Sequence, residues 1–271
     1  GRRAQIGVRP SQRDQVPAIA AACARHGVSL TLRGAGTGNY GQCVPLAGGL
    51  VLDASGLNRL LELDPSTGVF TAEPGLLLGD LEQQLQQRGY EPRLLPSTVR
   101  SASLGGFVAG GSGGIGSLRW GFLRDPGHLL GLEIVTLEAE PRQLQLDAAA
   151  ARALNHAYGC NGIVTSLTMA SAAAVPWQQL VLEFPSWEAA LAAAQQLPAS
   201  ALLLQELCLL EAPLAALMPW PQGCPPADGE GHRLLLLAAP EALPVLEGWL
   251  PELEGVLRWQ APQGESRGIP L

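Results

Sequence analysis

Apolar positions in this chain fall into short runs and helical stripes, and glycine-rich stretches break up both. Val16, Ile19, Ala20 and Cys23 recur at helical spacing from Ser11-Gln12-Arg13-Asp14, whose order matches a capping box, to Gly27, so a first helix is expected there. Residues 28–32 and 50–53 read as short buried strands on either side of a long loop. Residues 60–63 and 69–72 flank Asp64-Pro65-Ser66-Thr67-Gly68, where proline and glycine supply the turn of a hairpin. Leu78, Leu81 and Leu85 make one stripe of a second helix over residues 78–87, with Gly89 at its end. Strands are expected over 129–137, 143–146 and 163–169, and an alanine-rich helix over 148–158.

The pattern changes at Pro176, after which the glycine loops cease. Residues 179–184, 186–196 and 201–209 read as strand, helix and strand, with Ser186 as the helix cap, and 232–238, 240–250 and 256–260 repeat that order. Strand-helix-strand twice over is a ferredoxin-like pattern. The Pro- and Gly-rich residues 219–231 between the repeats are expected to form a loop that is mobile or exposed. The fold class is therefore α+β, with a first domain over 1–175, in halves of about 1–75 and 76–175, and a second over 176–271.

Composition narrows the chemistry. With 271 residues, 47% of them hydrophobic and 15% charged, the chain can bury a core in each domain, and no apolar run reaches the ~20 residues of a membrane-spanning helix. A soluble, cytoplasmic protein is expected. The net charge of −7 argues against a nucleic-acid partner, which calls for clustered positive charge. All 17 basic residues are arginine, and without lysine neither a P-loop nor an internal Schiff base can form. Cys23, Cys43, Cys160, Cys208 and Cys224 make no C-x-x-C, and their odd number without a leader-like segment leads to the expectation of reduced thiols. Cys43 and Cys160 stand beside glycine loops and are expected to be buried and inert. His26, His128, His156 and His232 have no metal-ligand spacing, so no metal is expected.

Three glycine motifs carry the candidate chemistry. The first, Arg33-Gly34-Ala35-Gly36-Thr37-Gly38-Asn39-Tyr40-Gly41, places four glycines in nine residues after a strand. Backbone without Cβ can converge on an anion at close range, so a phosphate-wrapping loop is expected. Gly36 to Gly41 fits G-x-G-x-x-G, but the turn-rich Gln42-Cys43-Val44-Pro45-Leu46-Ala47-Gly48-Gly49 follows instead of the helix a Rossmann site needs. The second motif comprises Pro96-Ser97-Thr98, then Ser103-Leu104-Gly105-Gly106-Phe107-Val108-Ala109-Gly110-Gly111-Ser112-Gly113-Gly114, and Trp120-Gly121. Leu104, Phe107, Val108, Ile115 and Trp120 within it argue for buried backbone approached by a ligand over a solvated linker. The third is Gly159-Cys160-Asn161-Gly162-Ile163-Val164-Thr165, which leads into a strand.

In this order the three motifs resemble the FAD-binding flavoenzymes of the vanillyl-alcohol oxidase type, whose PCMH-type domain binds FAD. Within that superfamily the chain is most similar to the flavin subunit of glycolate oxidase and to D-lactate dehydrogenase. The resemblance implies a two-subdomain FAD-binding domain followed by a ferredoxin-like substrate or cap domain. It implies that Arg33, Gly34, Ala35, Gly36, Thr37, Gly38, Asn39 and Tyr40 wrap the FAD pyrophosphate. Pro96, Ser97, Thr98, Ser103, Gly105, Gly106, Ala109, Gly110, Gly113 and Gly114 would lie along pyrophosphate and isoalloxazine, and Gly162, Ile163 and Val164 would reach the flavin from the strand side. Thr37 stands where some relatives tether the flavin through histidine, and no cysteine lies in the second motif, so FAD is expected to be noncovalent. Gly111 stands where many relatives carry asparagine. The late catalytic histidines and glycine-asparagine motif of the lactate-type enzymes do not occur before Gly268-Ile269-Pro270-Leu271. The expectation is that the chain stops inside its cap domain or lacks the usual substrate machinery, and its catalytic residues stay unassigned.

The activity so implied is oxidation of a small 2-hydroxy acid such as glycolate or D-lactate, by hydride transfer to flavin N5, as an oxidase or dehydrogenase. The implied partners are a small carboxylate substrate and an electron acceptor or partner subunit. Two other readings stand beside it: a flavin-binding subunit without turnover of its own, and an NADPH-dependent FAD reductase of the cell-wall precursor type. His128 and His156 are the imidazoles nearest the motifs and are expected to be structural. Arg33, Arg100, Arg119 and Arg124 are the nearby cations, Tyr40 and Trp120 the aromatics that could flank a ring, and Asp125 is expected to be structural.

Overall fold

The computed structural model describes residues 2–111 and 113–263. Ser112 of the second motif and the stretch Gly268-Ile269-Pro270-Leu271 lie outside the described residues. The chain divides into two compact units. One comprises the described residues up to Gly114 together with Phe122–Ala174, and the other comprises Ile115–Gly121 together with those from Val175 onward. The architecture is α+β. No helix among the described residues is long and apolar enough to cross a membrane.

The first unit opens with β1 (Ile6–Val8), α1 (Gln15–Arg25), β2 (Leu30–Arg33) and β3 (Leu50–Asp53). These strands form a parallel sheet of order β1-β3-β2. Because β2 and β3 are parallel neighbours, with Arg33 opposite Asp53, the chain between them must cross from the end of one strand back to the start of the next. That requirement is why a long loop, residues 34–49, sits at this point. Val16, Ala20 and Cys23 of α1 are buried against Leu50, Leu52, Leu57, Val135 and Ile163. The capping box expected at Ser11 does not form. Gln15 instead reaches back from the first turn, its Oε1 accepting from Ser11 N at 2.8 Å and Gln12 N at 3.1 Å.

The rest of the unit is built on β4 (Leu60–Leu63), β5 (Val69–Ala72), α2 (Leu78–Gln86), β6 (Tyr90–Pro92) and α3 (Leu104–Gly110). After α4 (Ser117–Trp120), which belongs to the second unit, come β7 (Leu129–Val135), β8 (Gln143–Asp147), α5 (Ala148–Ala151) and β9 (Ile163–Ala173). An antiparallel sheet runs β4-β5-β9-β7-β8, and β6 pairs the far end of β9. The hairpin 60–72 is thus part of the same sheet as β7 to β9, not of the parallel sheet that precedes it. Two expectations change here. The second glycine motif contains a helix, α3, because Leu104, Phe107 and Val108 bury one side of it and outweigh the poor helix propensity of glycine. The helix expected over 148–158 stops at Ala151. Further along, the His156 and Tyr158 N–H groups bond to Val108 O and Ala109 O, both at 3.0 Å, instead of to carbonyls four residues back.

In the second unit β10 (Gln178–Phe184), α6 (Trp187–Ala199), β11 (Leu204–Leu210), α7 (Ala212–Ala215), β12 (His232–Ala238), α8 (Leu243–Trp249) and β13 (Val256–Pro262) follow one another. Their antiparallel sheet has the order β11-β12-β10-β13. Ser186 caps α6, its Oγ accepting from Ala189 N at 3.2 Å. Leu180, Leu182, Leu234 and Leu236 on one sheet face pack with Ala190, Ala193, Leu197 and Leu246 of α6 and α8. Gly116 N donates to Gln205 O at 3.1 Å, which attaches the segment before α4 to β11. The Pro-rich residues 219–231, expected to be mobile or exposed, are exposed at Gln222, Gly223, Pro225, Pro226, Asp228 and Glu230, yet part of their backbone is tied down. Arg233, buried in the sheet, donates to Pro225 O at 2.9 Å, Pro226 O at 3.1 Å and Glu183 Oε2 at 3.0 Å, and lies 4.3 Å from the Trp220 ring centre. A buried guanidinium needs those acceptors, so the loop backbone is held by the cation's own demand for partners.

Candidate functional site

Within the first unit the three glycine motifs meet around one cavity of about 320 Å³. One wall is the loop that follows β2, a second is Pro96 and Thr98 with the first turns of α3, and a third is the approach to β9 through Tyr158, Gly159 and Gly162. Leu52, Leu57 and Pro74 add apolar surface from β3 and the turns beyond it.

Ser103 joins the first two walls. Its Oγ caps α3 by accepting from Gly106 N at 3.3 Å and also accepts from Ala35 N of the first loop at 3.2 Å. The loop can come this close only because residue 34 is glycine, since a Cβ there would run into Ser103 Oγ. Gly105 is pressed against Pro74, where a Cβ would lie 2.6 Å from the proline Cβ, and its N–H donates to Pro74 O at 2.8 Å. Gly36 takes φ +74° with the Arg33 guanidinium folded over it, 3.0 Å from where a Cβ would stand. Arg33 is therefore the cation drawn into the loop, and its side chain stays exposed.

Pro74 is positioned from behind by Glu73, whose carboxylate is fully buried. Its Oε2 accepts from Arg59 N at 2.9 Å and Arg59 Nε at 3.2 Å, its Oε1 accepts from Arg59 Nη2 at 2.9 Å, and Arg13 Nε stands 3.8 Å away. Burying a carboxylate is tolerated when it is paired and bonded in this way.

The third wall has an unusual backbone. His156 (φ 60°) and Tyr158 (φ 52°) are both left-handed without being glycine. Their side chains meet, His156 Nε2 to Tyr158 Oη at 2.9 Å, and the Tyr40 ring stands 6.5 Å from that of Tyr158 at 73°. Gly111 lies beneath this turn, where a Cβ would strike the His156 side chain.

Of the residues singled out in the sequence, Arg33, Gly34, Ala35, Gly36, Thr37, Gly38, Asn39, Tyr40, Pro96, Thr98, Ser103, Gly105, Gly106, Ala109, Gly110, Gly162, Ile163 and Val164 line the cavity. Ser97, Gly113 and Gly114 do not. Ser97 is exposed, and Gly114 is set against Leu95 O, where a Cβ would collide. His128 is buried outside the cavity, and Arg119 and Trp120 belong to the second unit. Arg100 is exposed, and Arg124 lies over the Phe122 ring at 5.1 Å. Asp125 is structural, accepting from Phe122 N at 2.7 Å. Cys43 and Cys160 are not the buried thiols expected: Cys43 lines the cavity half-buried, and Cys160 is exposed, because both occupy loops and not the core. Sequence reasoning missed Gln42, Leu52, Ala54, Leu57, Pro74 and Tyr158 as cavity residues.

Residues 4–144 match the model of a family described as FAD binding domain. The chain belongs to that family. Among the relatives of this chain, the glycolate oxidase subunit GlcD of Bacillus subtilis is 33% identical over 130 residues, 47% of this chain and 27% of that protein. The GlcD subunit of Escherichia coli is 33% identical over 146 residues, 54% of this chain and 29% of that one. The D-lactate dehydrogenase of Anaerostipes hadrus is 28% identical over 174 residues, 62% and 36% of the two chains. The chain thus spans about a third or less of the length of these relatives. A solved alkyldihydroxyacetonephosphate synthase shares the fold with a TM-score of 0.81 at 18% identity, over 94% of this chain and 51% of that one.

Proposed function

We propose that the glycine-walled cavity holds FAD noncovalently, and that the protein to which this chain belongs oxidises a small 2-hydroxy acid such as glycolate or D-lactate. The observation that carries the reading is the convergence of all three motifs on one cavity in a member of an FAD binding domain family. The walls suit a dinucleotide: Gly34, Gly36, Gly38, Gly105, Gly106 and Gly110 all line the space, so much of it is bounded by backbone without side chains. In this reading Arg33 to Tyr40 surround the pyrophosphate, with the Arg33 guanidinium as its nearest cation. Pro96, Thr98, Ser103, Gly105, Gly106, Ala109 and Gly110 line its course, and Gly162 to Val164 complete it from β9. Thr37 offers no nucleophile able to form the tether that histidine makes in some relatives, which favours noncovalent binding.

When bound, the isoalloxazine ring supplies the hydride-accepting centre. The protein's part is to fix that ring and to exclude water from it. The second unit, with its two strand-helix-strand repeats, is assigned the substrate or cap role of a ferredoxin-like domain. Because the GlcD relatives are named as subunits, a partner chain or electron acceptor belongs to the proposal.

The test is the visible spectrum of the purified chain before and after heat denaturation and centrifugation. Flavin bands released into the supernatant are expected, and a colourless chain that takes up no added FAD would overturn the reading. Bleaching by glycolate or D-lactate is expected of the hydroxy-acid oxidoreductase, no bleaching of a flavin subunit without turnover, and bleaching by NADPH of a reductase.

A further inference from the structure

His156 and Tyr158 are two non-glycine residues in the left-handed region, two positions apart, and Tyr158 lines the cavity. Each is disfavoured relative to ordinary backbone, and such strain persists only where surrounding bonds over-determine it. Here the bonds are the paired donations to Val108 O and Ala109 O of α3. What the strain achieves is the placement of a phenol ring. Tyr158 lines the cavity, and its hydroxyl is held by His156 Nε2 at 2.9 Å, so the ring is fixed at both ends. The His156 and Tyr40 rings stand at 67° and 73° to it, so neither stacks on its face. Tyr40, on the first loop, is 81% exposed, which is not the burial of a core aromatic. Tyr40 of the first motif and Tyr158, directly before the third, thus bring two phenol rings to one cavity, and neither ring beside Tyr158 is parallel to it.

We infer that Tyr158, held by His156, is the residue on which a flat ring of the bound dinucleotide stacks. The inference rests on the proposed FAD reading and adds to it the contact that selects an aromatic ligand over a bare diphosphate. The ring is either the adenine or the isoalloxazine, and the two share the chemistry that stacking recognises.

The full chain, freed of flavin, is titrated with FAD as the parent and as Tyr158→Asn and Tyr158→Phe variants, with melting curves recorded for each. Asparagine accepts the left-handed backbone better than tyrosine does, so Tyr158→Asn removes the ring without adding strain. The expected result is about a tenfold or greater loss of FAD affinity in Tyr158→Asn, and a change of less than about threefold in Tyr158→Phe, with native melting in both. Competition with ADP and with riboflavin 5′-phosphate then shows which ring is held, because only the ligand carrying that ring loses affinity in Tyr158→Asn. Parent-like FAD affinity in Tyr158→Asn overturns the inference while leaving the flavin reading intact. An equal loss in both variants assigns the contact to the hydroxyl and overturns stacking. A parent that binds no FAD overturns both readings together.

Discussion

Ser103 Oγ accepts the Ala35 N–H at 3.2 Å, linking two motifs that lie 68 residues apart in sequence. The same oxygen caps α3, so one hydroxyl fixes the first loop and starts the helix that faces it. Replacing Ser103 by alanine leaves two N–H groups without this acceptor. The expected cost is about 1–2 kcal/mol, with weakened FAD binding, read from denaturant melts and flavin titration.

Gly34→Ala tests the same junction from the other side. The added methyl meets Ser103 Oγ, so the loop must move away, and FAD affinity is expected to fall at least about tenfold. Gly248→Ala is the control, because nothing lies within 4 Å of the new Cβ and the position is in α8. That change should leave flavin binding unaltered and raise stability by roughly 0.5–1 kcal/mol. Gly223 would serve poorly, since its φ of +85° strains any side chain placed there.

Glu73→Ala removes the fully buried carboxylate behind Pro74 and strands the Arg59 backbone N–H with its guanidinium. Because the Arg59 and Arg13 side chains reach solvent, urea denaturation should show a loss of about 1–2 kcal/mol, for the unpaired Arg59 N–H and the cavity left behind. A loss under about 0.5 kcal/mol would show that Arg59 and Arg13 turn readily to solvent and that Pro74 is held by other contacts.

Glu206 in the second unit gives a pH signature. Burial pushes its carboxyl up to about 7, and its Oε2 finds no hydrogen-bond partner among the described residues. The folded state therefore holds this proton to higher pH than the unfolded chain does. Stability should be highest in the acid carboxylate range and decline as pH rises toward about 7, by an amount on the order of 1–2 kcal/mol after allowance for partial exposure. Glu206→Gln should abolish that slope in melts run from pH 5 to 8, and an unchanged slope would place the titration elsewhere.

Much of this architecture could be read from residues. The strands 50–53, 60–63, 69–72 and 232–238 run over the residues expected, because apolar runs are bounded by turn-forming residues. β1 and β6 were illegible: three residues leave no periodicity, and β6 ends in proline. Helix α3 was hidden because Gly105, Gly106 and Gly110 read as coil, and only the burial of Leu104, Phe107 and Val108 makes it helical. The parallel pairing of β2 with β3 depends on partners far along the chain, which local pattern does not encode. At the cavity, glycine announced the backbone walls, whereas Leu52, Leu57, Pro74 and Tyr158 are ordinary residues whose role comes from where the fold brings them.

The excursion of Ile115–Gly121 into the second unit makes the two units interleaved instead of consecutive. A cut at residue 175 would yield a piece whose β11 has lost the chain that donates to Gln205 O. Neither unit is a cassette that a single recombination event could lift out intact. Exchange between relatives would have to carry that short insert along with the C-terminal sheet, which ties the sequence of one glycine motif to the inheritance of a domain about sixty residues downstream.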